Sequence, residues 1–388
     1  MRLIGTTAMG VRLPIISPGD DLVEIVADHI LKVTEAAPLT SSDVIAVTEA
    51  IVAKAEGNFA SIQDIADDVH AKYGDVEVGL VYPMLSRNRF INILKGVAAG
   101  VKKLHVLLSY PHDEVGNPIM DIDRLDEIID ALPQGMVSAA EFTAAAGDFA
   151  HPFTGVDYLQ LYAGAGDNIS IYLSNNPRDI LKLTPHVLVG EIHNRFITKK
   201  RLEKAGAKTV YTLSDVLSQS VNGSGYSAEY GVLGSNLSTE DILKLFPARA
   251  PEFVTNLQKC LYQKTGVSPE VMVYGDGAFK DPVCGIWELA DPVVSPGYTA
   301  RLGNRPNEVK IKLVADTIAS GLSSEEKRKA VTNMIKTKAE NPNAFREGTT
   351  PRVYADLLGS LCDLMGGSGD KGTPVVLVRG YFDDYTTE

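Results

Sequence analysis

Apolar and polar residues along this chain follow two rhythms, one helical and one strand-like, that change over at turn residues. "DDLVEIVADHILKV" sets Leu22, Ile25, Val26 and Ile30 at helical spacing, with Asp20 and Asp21 where the positive dipole of that helix would begin. "RLPII", just before it, reads as a short strand ended by a Pro-Gly turn. "DVIAVTEAIVAKAEGN" opens with the buried-strand run of residues 44–47 and closes on a glycine stop. "SIQDIADDVHAKY" predicts an amphipathic helix with Ser61 as its cap. "KKLHVLLSYPHDEVGNP" and "NISIYLSNNP" read as strands ended by turns. "STEDILKLFP" predicts a helix capped by Ser238, with Asp241 three residues on. "EVMVYGDGAFKDP" is a strand followed by an acidic turn, and "SSEEKRKAVTNMIKTKAENP" an exposed, charge-laced helix. The resulting fold class is α+β, mixed sheets with packed helices.

The 388 residues, 45% hydrophobic and 22% charged, can bury a sizeable core and suggest two or three domains. A net charge of −12 argues against a nucleic-acid or membrane-surface partner, since both need a basic face. Phosphates can still bind wherever a local site or a metal supplies positive charge. The basic run Lys199-Lys200-Arg201 reads as a solvated helix face. Cys260, Cys284 and Cys362 are odd in number, far apart and in no C-x-x-C pattern, which is the usage of a reduced compartment. No apolar run nears the ~20 residues of a membrane helix, and no signal-peptide pattern opens the chain, so a cytoplasmic globular protein is expected.

Three loops of small residues lie beside apolar runs, residues 231–236, 275–281 and 366–373, and the last two carry a carboxylate. The last reads Gly366-Gly367-Ser368-Gly369-Asp370-Lys371-Gly372-Thr373. Successive glycines let backbone N–H groups turn toward an anion, and a nearby carboxylate makes sense where Mg²⁺ or Mn²⁺ bridges it to phosphate. The alternative is an ordinary Asx turn. No Walker A loop, H-E-x-x-H pair or G-x-S-x-G elbow is present. His112 reads as a turn residue. Lys54 stands just after a buried strand, placed either as a surface lysine or as a phosphate contact.

"LPIISPGDDLVEIV" with "VIAVTEAIVAKAEGN", then "YGVLGSNLSTEDIL", "VMVYGDGAF" and "ADLLGSLCDLMGGSGDKGTPVVLVRG", resemble the coenzyme F420-0:γ-glutamyl ligase family in the same order. The resemblance covers about the first hundred residues and most of the chain after Tyr226. It divides the chain into an N-terminal part of a ligase-like domain (1–110), an inserted or divergent α/β region (111–225) and a C-terminal part with the glycine-rich loops (226–388). It implies a GTP- and divalent-metal-dependent amide ligase that adds L-glutamate to a cofactor carboxylate, and a homodimer. By the same resemblance Leu13, Pro14, Ile15 and Ile16 border the nucleotide, Glu49 and Asn236 contact it, and Lys54 touches its phosphates. Gly366, Gly367 and Gly369 belong to the phosphate loop, and Asp276 and Asp370 to the metal (Mg²⁺ or Mn²⁺). The sequence departs from the family at Leu233, where an aspartate is usual, and at Asp276-Gly277, where Asp-Thr is usual. Two alternatives stand beside an F420-0-like acceptor: a folate-type γ-glutamyl ligase, and a nucleotide- or metal-binding homologue without ligase activity. A flavin-binding oxidoreductase is a further reading, but no flavin motif supports it.

Overall fold

The computed structural model describes residues 3–86, 89–147, 155–275, 294–317, 321–338, 352–367 and 369–387. They form two compact units: the described parts of 1–52, 249–275 and 293–388, and those of 53–248. In chain order the strands begin β1 (Thr7–Val11), β2 (Val44–Thr48), β3 (Phe59–Ser61), β4 (Glu77–Val81) and β5 (Lys103–Leu108). They continue β6 (Val137–Ser138), β7 (Ile169–Leu173), β8 (His186–Val189) and β9 (Thr209–Thr212). Last come β10 (Asn236–Thr239), β11 (Ile242–Lys244), β12 (Glu270–Gly275), β13 (Val294–Tyr298) and β14 (Val375–Arg379). The mixed α+β class expected from the sequence is the class observed.

The first unit is built on the sheet β1-β14-β2-β12-β13, in which β2 and β12 are parallel and every other neighbour is antiparallel. "VIAVT" of β2 is apolar on both faces because both faces are covered. On one face Ala355, Leu358 and Cys362 of the helix Tyr354–Met365 pack on Val44, Ala46, Met272, Tyr274, Val376 and Val378. The helix Ala250–Thr265 packs on β12 and β13, and the helix Leu22–Val33 packs on it in turn. Asp21 caps the latter by accepting from the Glu24 amide, as the paired aspartates predicted. The strand expected at "RLPII" lies earlier, at Thr7–Val11, and residues 12–16 are irregular. The ladder ends where Val11 meets Val375, because the next residue of the partner is Pro374, which has no N–H to donate.

The second unit holds a six-stranded sheet, order β6-β7-β5-β4-β8-β9, parallel except for the edge strand β6. Counted in sequence order, its parallel strands run 3-2-1-4-5, the doubly wound arrangement that reverses direction between its first and fourth strands. Here the reversal falls between β4 and β8. Since β4 and β5 come from residues 1–110 and β6 to β9 from 111–225, a boundary near residue 110 runs between strands of one sheet.

A separate antiparallel sheet, β10-β11-β3, replaces the helix expected at "STEDILKLFP". Ile242, Leu243 and Lys244 pair with Ser61, Ala60 and Phe59, and Ser238 lies within β10 rather than capping a helix. Strand pairing satisfies backbone groups of β3 that would otherwise lack partners, and this tertiary gain outweighs local helix propensity. Ser61 does cap the helix Ile62–Tyr73, in a reciprocal box with Asp64.

Away from the site, β14 is fastened to the start of β2 by Arg379. Its guanidinium holds the buried Asp43 carboxylate at 3.1 and 3.2 Å and donates to the carbonyls of Ala37 and Pro38. Arg379→Met would leave Asp43 buried with only the Thr40 amide, and should destabilise the protein by about 2–4 kcal/mol. The check is the urea midpoint at unchanged slope. A loss below about 0.5 kcal/mol would mean the pair behaves as an exposed one.

Candidate functional site

The strand directions of the first unit bring distant parts of the sequence to one sheet edge. Because β2 and β12 are parallel, their carboxyl ends, Thr48 and Gly275, lie together. β14 runs against β2, so its amino end is at the same edge, and β1 runs against β14, which brings its carboxyl end there too. Val11 faces Val375 and Val375 faces Val47, while Thr48 is opposite Tyr274. Three sequence-predicted segments therefore leave the sheet at this edge: residues 13–16 after β1, Glu49 after β2, and the glycine loop before β14. Asp276, the next residue in sequence after β12, and Ser368 of the loop lie outside the described residues.

The glycine loop is closed at its base. The Gly367 amide donates to the Thr373 carbonyl at 2.9 Å, and the Gly372 amide to Gly369 O at 2.9 Å. The Thr48 amide donates to Pro374 O at 2.9 Å, tying the loop's exit to the end of β2. Gly372 has φ 62, left-handed backbone that a glycine adopts at little cost. A Cβ on Gly366 would lie 2.6 Å from the Tyr274 hydroxyl and 2.8 Å from Thr373 O, so no larger residue fits without displacing the loop. Gly369 is the opposite case, with nothing within 4 Å of a Cβ added there. Gly369, Asp370 and Lys371 are exposed at the tip.

Around the loop, Ile15 is 89% exposed while Ile16 is buried, so this stretch presents apolar surface at the edge. Glu49 is buried, and the absence of a side chain at Gly275 makes room for it: a Cβ there would fall 2.1 Å from Glu49 Cγ. The Tyr274 hydroxyl is buried with no hydrogen-bond partner among the described residues. Burial pushes the neighbouring Cys362 thiol up to about 12, so it is protonated at neutral pH and is no nucleophile.

Among the described residues, no group of three or more His, Cys, Asp or Glu side chains is placed to cage a metal. Asp370 is the carboxylate the described loop offers. A hard divalent ion held by one or two carboxylates and completed by substrate phosphates needs no such cage.

Two predicted site residues belong to the other unit. Lys54 is half-buried in the last turn of the helix Glu49–Glu56. Asn236 opens β10, half-buried and opposite the buried Lys244. Leu233, at the position of the usual family aspartate, is 2% exposed and belongs to the apolar core with Phe90, Leu213 and Val232, where a carboxylate would be desolvated. Tyr274 and Lys244 were not singled out from the sequence, although each places a polar group inside an apolar run, "VMVYG" and "ILKLF".

The family model described as F420-0:Gamma-glutamyl ligase matches residues 10–380. The chain belongs to the F420-0:γ-glutamyl ligase family. That membership makes it a ligase, and the matched range spans the middle region as well as the two ends that carry the resemblance. Comparison with curated proteins returned no match. For this family member, no helix among the described residues is long and apolar enough to cross a membrane.

The loop geometry makes opposite predictions for two of its glycines. Gly366→Ala should destabilise the protein by about 1–3 kcal/mol, since the added methyl meets backbone and a packed phenol. Gly369→Ala should fall within about 0.5 kcal/mol of wild type. Paired urea unfolding curves check both, and equal losses at the two positions would contradict the loop's described conformation.

Proposed function

We propose that this chain is a GTP- and divalent-metal-dependent amide ligase that adds L-glutamate to the carboxylate of an F420-0-like acceptor, with γ-linked extension. A carboxylate oxygen of the acceptor takes the γ-phosphoryl group of GTP, releasing GDP and leaving an acyl phosphate. The amine of glutamate attacks the acyl carbon, loses a proton and expels phosphate. The observation that carries this reading is the convergence of residues 13–16, Glu49 and the glycine loop on one sheet edge.

In this reading the exposed amides of the loop tip receive phosphate oxygens, and Lys54 supplies a cationic contact. Leu13, Pro14, Ile15 and Ile16 border the nucleotide, which Glu49 and Asn236 contact. Asp370 and Asp276 would hold Mg²⁺ or Mn²⁺, which neutralises phosphate charge and aligns the reacting groups. Positioning and charge stabilisation dominate phosphoryl transfer, so an acidic protein with a local anion nest suffices. The proposed assembly is a cytoplasmic homodimer.

A second reading, a homologue that binds nucleotide without ligating, is favoured by the burial of Leu233 where the family usually has an acid. The deciding experiment incubates the purified chain with GTP, Mn²⁺, L-glutamate and F420-0, with a folate-type acceptor in parallel. Acceptor-dependent GDP release and a product heavier by one glutamyl residue are expected with F420-0. Nucleotide binding without either product would establish the second reading.

Lys54→Ala should weaken GTP binding by about 1.5–3 kcal/mol if Lys54 is a phosphate contact. Gly369→Val should lose the stabilisation that GTP with Mn²⁺ confers on wild type, with the ligand-free protein little changed. Thermal unfolding with and without ligand measures both effects. Wild-type-like ligand shifts in both variants would remove the loop and the lysine from the nucleotide site.

A further inference from the structure

The doubly wound sheet of the second unit has its own functional geometry. Open sheets of this kind bind ligands outside the carboxyl ends of the strands where the strand order reverses, here between β4 and β8. Beyond these two ends the sequence repeats a tripeptide: Asn88-Arg89-Phe90 after β4 and Asn194-Arg195-Phe196 after β8. In each copy the arginine stands at the start of a helix, Phe90–Ala99 and Arg195–Lys204, and neither N-cap residue, Arg89 or Asn194, caps the first amides with its side chain. Uncapped amides and an arginine at a helix start both favour an anion.

Two further observations point to a ligand. A cavity of about 10 Å³, the room of one water or one ligand oxygen, lies beyond β4 and β8; its lining is mostly apolar, Met84, Phe90 and Ile192 among it, and its polar side chains are Arg89 and Ser235. Ser235 is 3% exposed and its hydroxyl has no hydrogen-bond partner among the described residues, a desolvation cost left uncompensated there. Arg195 donates through Nη1 to the carbonyl of Ile192 on the cavity wall, while its buried Nε–H has no acceptor among the described residues.

The walls are held in place. The Tyr162 hydroxyl donates to Met84 O and accepts from the Ser86 amide. Asp113 accepts from the Leu85 amide at 2.9 Å, and the adjacent Glu114 accepts from the amides of Ile192 and His193, so one dipeptide fastens both loops. Burial pushes Glu114 up to about 8 and Asp113 upward as well, so these acids repel an anion less than their number suggests. Glu191 is buried and accepts from the Thr198 hydroxyl.

We propose that this crevice is a second binding site, for a small ligand bearing a phosphate or carboxylate group. One oxygen enters the cavity to Ser235 Oγ, and Arg89, Arg195 and the first amides of the Phe90 helix receive the charge. The crevice ends one residue before Asn236, which the ligase reading gives to the nucleotide, so the proposal is tested with small ions and no nucleotide.

Calorimetric titration of the full-length chain with inorganic phosphate and, separately, succinate tests it at low ionic strength. At least one should bind wild type, and which one binds tells phosphate from carboxylate recognition. Ser235→Ala and Arg195→Gln should each weaken that binding at least tenfold. Ser235→Ala should also unfold at the wild-type temperature or above, because its hydroxyl has no partner to lose. Failure of both ions to bind, or wild-type affinity in Ser235→Ala and Arg195→Gln, would overturn the proposal.

Discussion

The candidate ligase site depends on one constraint: β14, from the end of the chain, is inserted antiparallel between β1 and β2, while β12 lies parallel to β2 on the other side. Side chains alternate along a strand with period two, so a slip of one residue would turn Val376 and Val378 away from the helix that covers them. The register is therefore fixed by the core. The same register sets the Pro374 carbonyl on the Thr48 amide and the glycine loop at the carboxyl ends of β2 and β12. Core packing and site assembly are one energetic event, which is how segments more than three hundred residues apart reach a common edge.

Much of this was legible in the sequence because the signals were local. The apolar runs of β2, β12 and β14, the Asp21 and Ser61 caps, and the change from helix to glycine loop to strand at Met365 all follow from propensity and periodicity. The errors arose where a distant partner decided the outcome. "STEDIL" has a good helix-start pattern, but β3 needed a neighbour and took it as β11. "RLPII" is apolar enough for a strand, but its ladder stops opposite Pro374. Leu233 was legible as a departure from the family, while its place in the apolar core was visible only after folding. The doubly wound strand order, and with it the crevice between β4 and β8, depends on crossovers that no local pattern encodes.

The two proposed anion sites would work differently. In the ligase reading the sheet edge relies on glycine, with a loop tip open to solvent, and the charge would come from a lysine and from a metal bound with the nucleotide. The crevice relies on two helix starts, two arginines and a buried hydroxyl, a rigid arrangement that suits one small oxyanion. Both are compatible with a chain of net charge −12, because binding is set by the local donors rather than by the overall balance.

The central claim is that one sheet edge holds the nucleotide. Hydrogen–deuterium exchange of the full chain with and without GTP and Mn²⁺ tests it most directly. Slowed exchange is expected in peptides covering residues 12–17, 48–50 and 366–374, with the far end of the same sheet around Asp43 and Arg379 unchanged. Protection confined to other segments, with these three exchanging as in the free protein, would contradict it.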